Sequence, residues 1–207
     1  MIVVVDYEIG NIGSIINMVK KVGGHAVCSS DKDEIKDADK LILAGVGSFD
    51  TGVINLENKN LIPLLEEKVL DDKIPILGIC LGMQLMTKGS EEGNLPGLGW
   101  IDAQTVRFNF KLKNQKYKIP HMGWNGAKIV REGSLFKDMY PDARFYFVHS
   151  YYVDCKHKED IVAITNYGFD FVSSFQKNNI MGTQFHPEKS HKYGLKLIKN
   201  FVEMGQY

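Results

Sequence analysis

The chain is poor in cysteine. It has three in 207 residues, Cys28, Cys80 and Cys155, an odd number, widely spaced and without a CxxC pair. That argues against a disulfide framework and against a zinc site built on paired thiolates. An excess of charge is also missing: 25 Lys and Arg balance 25 Asp and Glu, so nothing global draws the chain to nucleic acid or to an anionic membrane. Long hydrophobic runs are missing too. The longest near-apolar stretch, residues 74–86, is too short to cross a bilayer and is broken by Pro75 and by glycine and polar positions. The opening Met1-Ile2-Val3-Val4-Val5 has no basic leader and reads as a buried strand rather than a signal peptide, which makes the cytoplasm the expected compartment. Repeats, low-complexity tracts and linkers are absent. With 44% hydrophobic residues, 1–207 is expected to be a single domain with a substantial core.

What is present is an alternation of short apolar runs with amphipathic segments. Residues 2–5 read as a strand, and residues 11–22 as a helix with Ile12, Ile15, Ile16 and Val19 at helical spacing, stopped by Gly23-Gly24. Strands follow at 41–44 and 74–79, a helix at 61–70 with Pro63 in its first turn, and another helix at 81–88. The apolar runs are continuous rather than alternating, the mark of a parallel sheet covered on both faces. Residues 93–130 read as hairpins and loops. Further strands are expected at 145–148, 161–165, 171–175 and 180–185, and a closing helix at 189–204 with Leu195, Leu197, Ile198, Phe201 and Val202 inward. The expected fold is a flavodoxin-like α/β sheet, mostly parallel, flanked by helices.

One constellation carries chemistry. In Gly78-Ile79-Cys80-Leu81-Gly82 a strand runs into Gly-x-Cys-x-Gly and a helix follows, which is the nucleophile-elbow pattern with cysteine in place of serine. A sharp turn at the strand's end holds the nucleophile in a strained conformation, and flanking glycines remove side chains that would collide. The new helix turns its free amides toward the sulfur, with Leu81 as an oxyanion donor. The bland alternative is a buried cysteine between packing glycines. A thiol also needs a base, and the base needs an orienting group. His186 and Glu188, separated by Pro187 at the end of the last strand, supply both types on one side of the chain. Alone, His186 could be a loop histidine and Glu188 a helix-start acid. Ala44-Gly45-Val46-Gly47, at another strand end, is either a second source of oxyanion amides or a plain tight turn. A metal site using His186, Glu188, His191 and Cys80 is the rival reading. Its spacing is not HExxH, and Pro187 opposes a helix presenting two ligands.

These residues resemble a known family. GICLGMQ (78–84) and QFHPEKS (184–190) are similar to the class I, or triad, glutamine amidotransferases. More narrowly, AGVGSFD (44–50), PHMGWN (120–125) and YFVHSYY (146–152) resemble the glutaminase subunits of imidazole glycerol phosphate synthases. The resemblance covers the chain from Val5 to about Phe201. It implies Cys80 as nucleophile, His186 as base and then acid, and Glu188 as its orienter. Backbone amides of Leu81 and, after a peptide flip, Val46 would form the oxyanion hole. Gly47, Gln84, Ser150 and Tyr151 would hold glutamine, and Asn11, Met122, Trp124, Tyr146 and Lys189 would face the partner. It implies no cofactor and no metal. The implied partner is a (βα)8-barrel cyclase forming a heterodimer, or else a sugar amidotransferase of surface-glycan synthesis. The readings of other classes are a stand-alone cysteine hydrolase and a non-catalytic binding subunit. The sequence departs from the family pattern at Ala44, where proline is usual, and at Gly13, where bulkier residues are common.

Overall fold

The computed structural model describes residues 1–110 and 117–205. The 111–116 part of the segment expected to form hairpins and loops lies outside the described residues, as do Gln206 and Tyr207. β1 (Ile2–Val5) is four aliphatic residues buried on both faces, as an interior strand requires. It is followed by α1 (Ile12–Lys21), β2 (Ala26–Ser29), α2 (Lys32–Lys36), β3 (Lys40–Gly45) and α3 (Phe49–Asn58). α4 (Ile62–Glu66) widens into a π-type turn over Glu67–Asp71, and then come β4 (Ile76–Cys80) and α5 (Leu81–Leu85). The second half consists of β5 (Ala103–Arg107), β6 (His121–Gly126), β7 (Lys128–Ile129), β8 (Arg144–His149), β9 (Tyr151–Cys155), β10 (Ile161–Asn166), β11 (Asp170–Lys177), β12 (Ile180–Thr183) and α6 (His191–Glu203).

The order β2-β1-β3-β4-β12 is parallel throughout. Beyond β12 the sheet continues antiparallel through β11, β10 and β7, with the β5–β9 pair joined to β11. β6 and β8 form a separate antiparallel ribbon. The expected α/β architecture, a parallel central sheet flanked by helices, is what is found. Because side chains alternate across a strand, Leu41 and Leu43 pack under α3 and α4, while Ile42 and Ala44 pack under α1 and α6. Each large aliphatic side chain buried this way contributes about 1.5–3 kcal/mol.

The 61–70 helix is continuous across α4 and its wider turn, and β3, β4, β8, β10 and β11 lie within a residue or two of their expected bounds. Two ends differ for local reasons. α5 stops at Leu85 rather than near Lys88, because the Thr87 hydroxyl donates to the Gln84 carbonyl at 2.7 Å. The last strand leaves the sheet at Thr183 instead of Phe185, since the His186 amide donates to the Tyr146 carbonyl of β8 at 2.9 Å. That departure turns His186 toward the parallel strands' carboxyl ends. α6 keeps Leu197, Ile198 and Phe201 fully buried, with Leu195 and Val202 half-buried.

Candidate active site

Cys80 ends β4 and precedes the first residue of α5. Its φ of 53° and ψ of −107° lie in a region that L residues other than glycine seldom occupy. The flanking glycines make that turn possible. A Cβ on Gly78 would stand 2.8 Å from the Met83 backbone, and one on Gly82 would overlap the Leu43 carbonyl of β3. Neither contact can be relieved, because the obstacle in each case is backbone. The elbow is therefore locked between β3 and α5, and Leu81, as the first helical residue, has an amide without an intrahelical partner.

His186 is placed by a clamp of backbone and hydroxyl groups. Its amide donates to Tyr146, the Ser190 hydroxyl donates to its carbonyl at 2.6 Å, and the Tyr146 amide donates to that same hydroxyl at 3.0 Å. The Pro187–Lys189 turn can dock on α6 only because residue 194 is glycine; a Cβ there would overlap the Pro187 carbonyl. The side chains of His186 and Glu188 are 2% and 5% exposed, with Nδ1 and Oε1 2.7 Å apart. That bond leaves Nε2 for the Cys80 sulfur. Burial alone would lower the His186 pKa, but the influence of Cys80 and the bond to Glu188 outweigh it and hold the imidazole up at about 10, while Nε2 itself makes no hydrogen bond. The imidazole thus keeps its proton through the neutral range.

Val46, Gly47, Leu81, Gln84, Ser150 and Tyr151 line one cavity of about 330 Å³ with Cys80, so every residue expected in the oxyanion and glutamine groups converges there. Gly45 lies opposite Cys80 in the β3–β4 register, which puts the Gly45-Val46-Gly47 segment beside the sulfur. Gly47 has φ of +142°, and Val46 is exposed. Tyr7 packs its buried hydroxyl, which has no hydrogen-bond partner, beneath Gly45, where a Cβ would collide with it.

The partner-facing candidates form a second group. Trp124 and Met122 are exposed on β6, the Trp124 ring lies 6.4 Å from that of Tyr146, and the Lys189 ammonium stands 5.6 Å from the Tyr146 ring centre. Asn11 is exposed at the start of α1, a helix that packs against the Pro187–Lys189 turn and α6. His191 stacks on Trp124 at 5.4 Å. Among the described residues no three His, Cys, Asp or Glu side chains gather as metal ligands, and no helix is long and apolar enough to cross a membrane.

Several residues at the site carry little or no sequence signal. Gln184, fully buried, accepts from Gln84 Nε2 at 3.1 Å and points its own amide at the Cys80 sulfur 3.7 Å away. It opens the QFHPEKS motif, but nothing there beyond a polar residue in an apolar run marks its contact with the sulfur. Glu92 is the acid that lines the cavity, and it accepts the Phe49 amide at 2.9 Å. It sits in a loop with no pattern to mark it. His149 and Pro120 also line the cavity, inside the motifs but outside the residues expected to touch substrate.

A thiol at a strained strand-to-helix elbow and an imidazole–carboxylate couple at the end of a parallel strand are the groups that nucleophilic amide chemistry calls for on an α/β sheet. Comparison with known proteins narrows this. The model of the family "Glutamine amidotransferase class-I" matches residues 3–204, and the chain belongs to that family of glutamine-using enzymes. It is 53% identical over 203 residues to "Imidazole glycerol phosphate synthase subunit HisH 2" of Methanococcus maripaludis, covering 98% of this chain and 99% of that one. It is 47% identical to the protein of the same name from Pseudomonas aeruginosa and 42% identical to "Imidazole glycerol phosphate synthase subunit HisH" of Leptospira borgpetersenii, in both cases over 99% of this chain and 100% of the relative. The narrower resemblance carried by the motifs is thereby borne out. Among solved structures, a glutamine amidotransferase superposes with a TM-score of 0.68 at 17% identity, over 95% of this chain and 98% of that one. A glutamine amidotransferase from Thermotoga maritima superposes at 0.64 with 21% identity, over 98% and 80%. These two show a shared fold.

Proposed function

We propose that residues 1–207 act as one glutaminase unit, hydrolysing the side-chain amide of glutamine to glutamate and ammonia for a cyclase partner in the cytoplasm. The observation that carries this reading is the 2.7 Å His186–Glu188 bond behind a thiol at the elbow. The Cys80 sulfur attacks the amide carbon, and the oxyanion is met by the Leu81 amide and, after rotation of its peptide, that of Val46. The imidazolium of His186 gives its proton to the leaving nitrogen, releasing ammonia and a glutamyl thioester. Water then adds with His186 as base, the C–S bond breaks, glutamate leaves and the Cys80 thiolate stands again beside the His186 imidazolium. Glu188 holds the imidazole's tautomer. Gly47, Gln84, Ser150 and Tyr151 hold the substrate, with Glu92 placed to meet its α-ammonium. The names of the relatives support a cyclase that makes imidazole glycerol phosphate in histidine synthesis as the partner, seated on Asn11, Met122, Trp124, Tyr146 and Lys189 as a heterodimer.

A second reading keeps the chemistry and changes the acceptor to a nucleotide-linked sugar of surface-glycan synthesis. Two similar relatives bear the numeral 2 in their names. His191, in the Ser-His-Lys-Tyr-Gly run that follows Lys189, stacks on Trp124 of the partner-facing group. The test is steady-state glutamate release with and without the histidine-pathway cyclase and its phosphoribosyl-carboxamide acceptor. Release is expected to rise about 10²–10³-fold on binding, the worth of one completed oxyanion donor. Lys189→Ala should blunt the rise without changing the reactivity of Cys80 toward a small thiol reagent. Equal rates with and without the cyclase would remove it as the partner and favour the sugar acceptor.

A further inference from the structure

Two buried histidines outside the triad remain unexplained by amide hydrolysis. His121 of β6 and His149 of β8 face each other in the ribbon register, are 3% and 6% exposed, and bond Nδ1 to Nε2 at 2.9 Å. On the outer side, Asn125 Nδ2 donates to His121 Nε2 at 3.2 Å and to the Asn166 carbonyl at 3.0 Å. On the inner side, His149 Nδ1 stands 2.7 Å from the Tyr151 carbonyl. A carbonyl only accepts and an amide NH2 only donates, so one proton arrangement satisfies the chain: both rings neutral with hydrogen on Nδ1, each donating inward. Neutrality fits the surroundings. Burial pushes His121 down to about 4 and His149 to about 3, the latter opposed by its bond to Tyr151 and reinforced by the neighbouring His121 and His186 imidazoles, which disfavour a further proton. His121 is sandwiched against the Phe147 and Tyr167 rings at 4.8 and 4.0 Å, which keeps the pair dry.

The Tyr151 carbonyl is where this relay meets the site. It also accepts from Gln84 Nε2 at 3.3 Å; Gln84 donates its second hydrogen to Gln184, whose amide points at the Cys80 sulfur. The neighbouring Ser150 carbonyl is held by the Phe108 amide at 3.1 Å. The Ser150-Tyr151 edge of the cavity is therefore oriented from behind. The opposite face of β6 carries the exposed Met122 and Trp124.

We propose that His121 and His149 are positioning residues, a neutral imidazole relay that fixes the Ser150-Tyr151 edge for glutamine binding and ties it to the outward-facing β6–β8 ribbon. This rests on the glutaminase reading. The relay acts on substrate binding, so its loss raises KM for glutamine while kcat and Cys80 reactivity stay close to those of the parent.

The test measures glutamate release by the chain with its cyclase, together with melting temperature. His149→Gln places its amide near Nε2 and leaves the Tyr151 carbonyl with only its longer bond from Gln84; KM should rise about tenfold, the size of one lost buried hydrogen bond. His149→Asn keeps a donor near the Nδ1 position and should raise KM clearly less. His121→Phe preserves the stacking on Phe147 and Tyr167 but deprives His149 of its donor, and should give an intermediate rise. A purely structural role would lower the melting temperature of all three without this ordering. The proposal is overturned if His149→Gln and His149→Asn shift KM equally, if His121→Phe leaves KM unchanged, or if kcat falls while KM does not. A parent complex that releases no glutamate would overturn the glutaminase reading and the relay together.

Discussion

Cys80→Ser is expected to lose glutamine-dependent turnover by about 10⁴-fold or more, while turnover supplied with external ammonium survives in the complex with the partner. Removing a covalent nucleophile eliminates the thioester route entirely, and losses of this size follow when a member of a catalytic unit goes. The ammonium control isolates the chemistry, since a substitution that damaged the partner interface would depress both activities. Fold damage is not expected: serine is smaller and the elbow is enforced by Gly78 and Gly82 against backbone. Cys28 is exposed, and Cys155 has its thiol pushed up to about 12, first by burial and then by Asp160 and Asp154, so neither is placed to substitute. Their serine variants should keep glutaminase activity. Near-normal glutamine turnover by Cys80→Ser would refute the mechanism.

His186→Ala should approach the loss of the nucleophile variant, and Glu188→Gln should cost less while changing the pH profile. The imidazole carries the proton in both half-reactions, whereas the carboxylate only orients it. The sign follows from the raised pKa of His186. Below its ordinary value near 6.5 the imidazolium is present in any case; between 6.5 and about 10 it persists only because Cys80 and Glu188 hold the proton. Stability and activity that depend on this charge are retained below that window and lost as pH rises through it. Replacing the Glu188 carboxylate removes one of the two supports, so the alkaline limb of glutamate release should move to lower pH. An alkaline limb unmoved by Glu188→Gln would mean that the 2.7 Å contact does not govern His186.

The parallel half of the sheet is legible in the sequence because each of its interior strands is a short apolar run whose burial is two-sided; Ile2–Val5 and Ile180–Thr183 need no partner information to be recognised. The proposed triad is legible for a related reason, since strand-end glycines and the His-Pro-Glu spacing are local features. α3 escapes a reading of the sequence although Phe49, Gly52, Val53 and Leu56 are its buried face at helical spacing: Gly52 and the flanking Asp50 and Thr51 mask the apolar period. β2 is an edge strand with only its two end residues buried, too weak a pattern to stand out. The β6–β8 ribbon is beyond reach for a different reason. Its register joins residues 18 to 28 apart, and although β8 turns Phe145, Phe147 and His149 inward, β6 meets them with asparagine, glycine and histidine, so no apolar alternation marks that strand. The relay and Gln184 stay hidden together with that long-range pairing.

The most direct test of Cys80 as the glutamine-activated nucleophile is mass spectrometry of the chain after reaction with a glutamine-mimicking electrophile, with and without excess glutamine. One adduct per chain on the peptide carrying Cys80, suppressed by glutamine and absent from His186→Ala at the same exposure, is the expected result. Labelling of Cys28 or Cys155 instead, or labelling of Cys80 that glutamine does not protect, would contradict it.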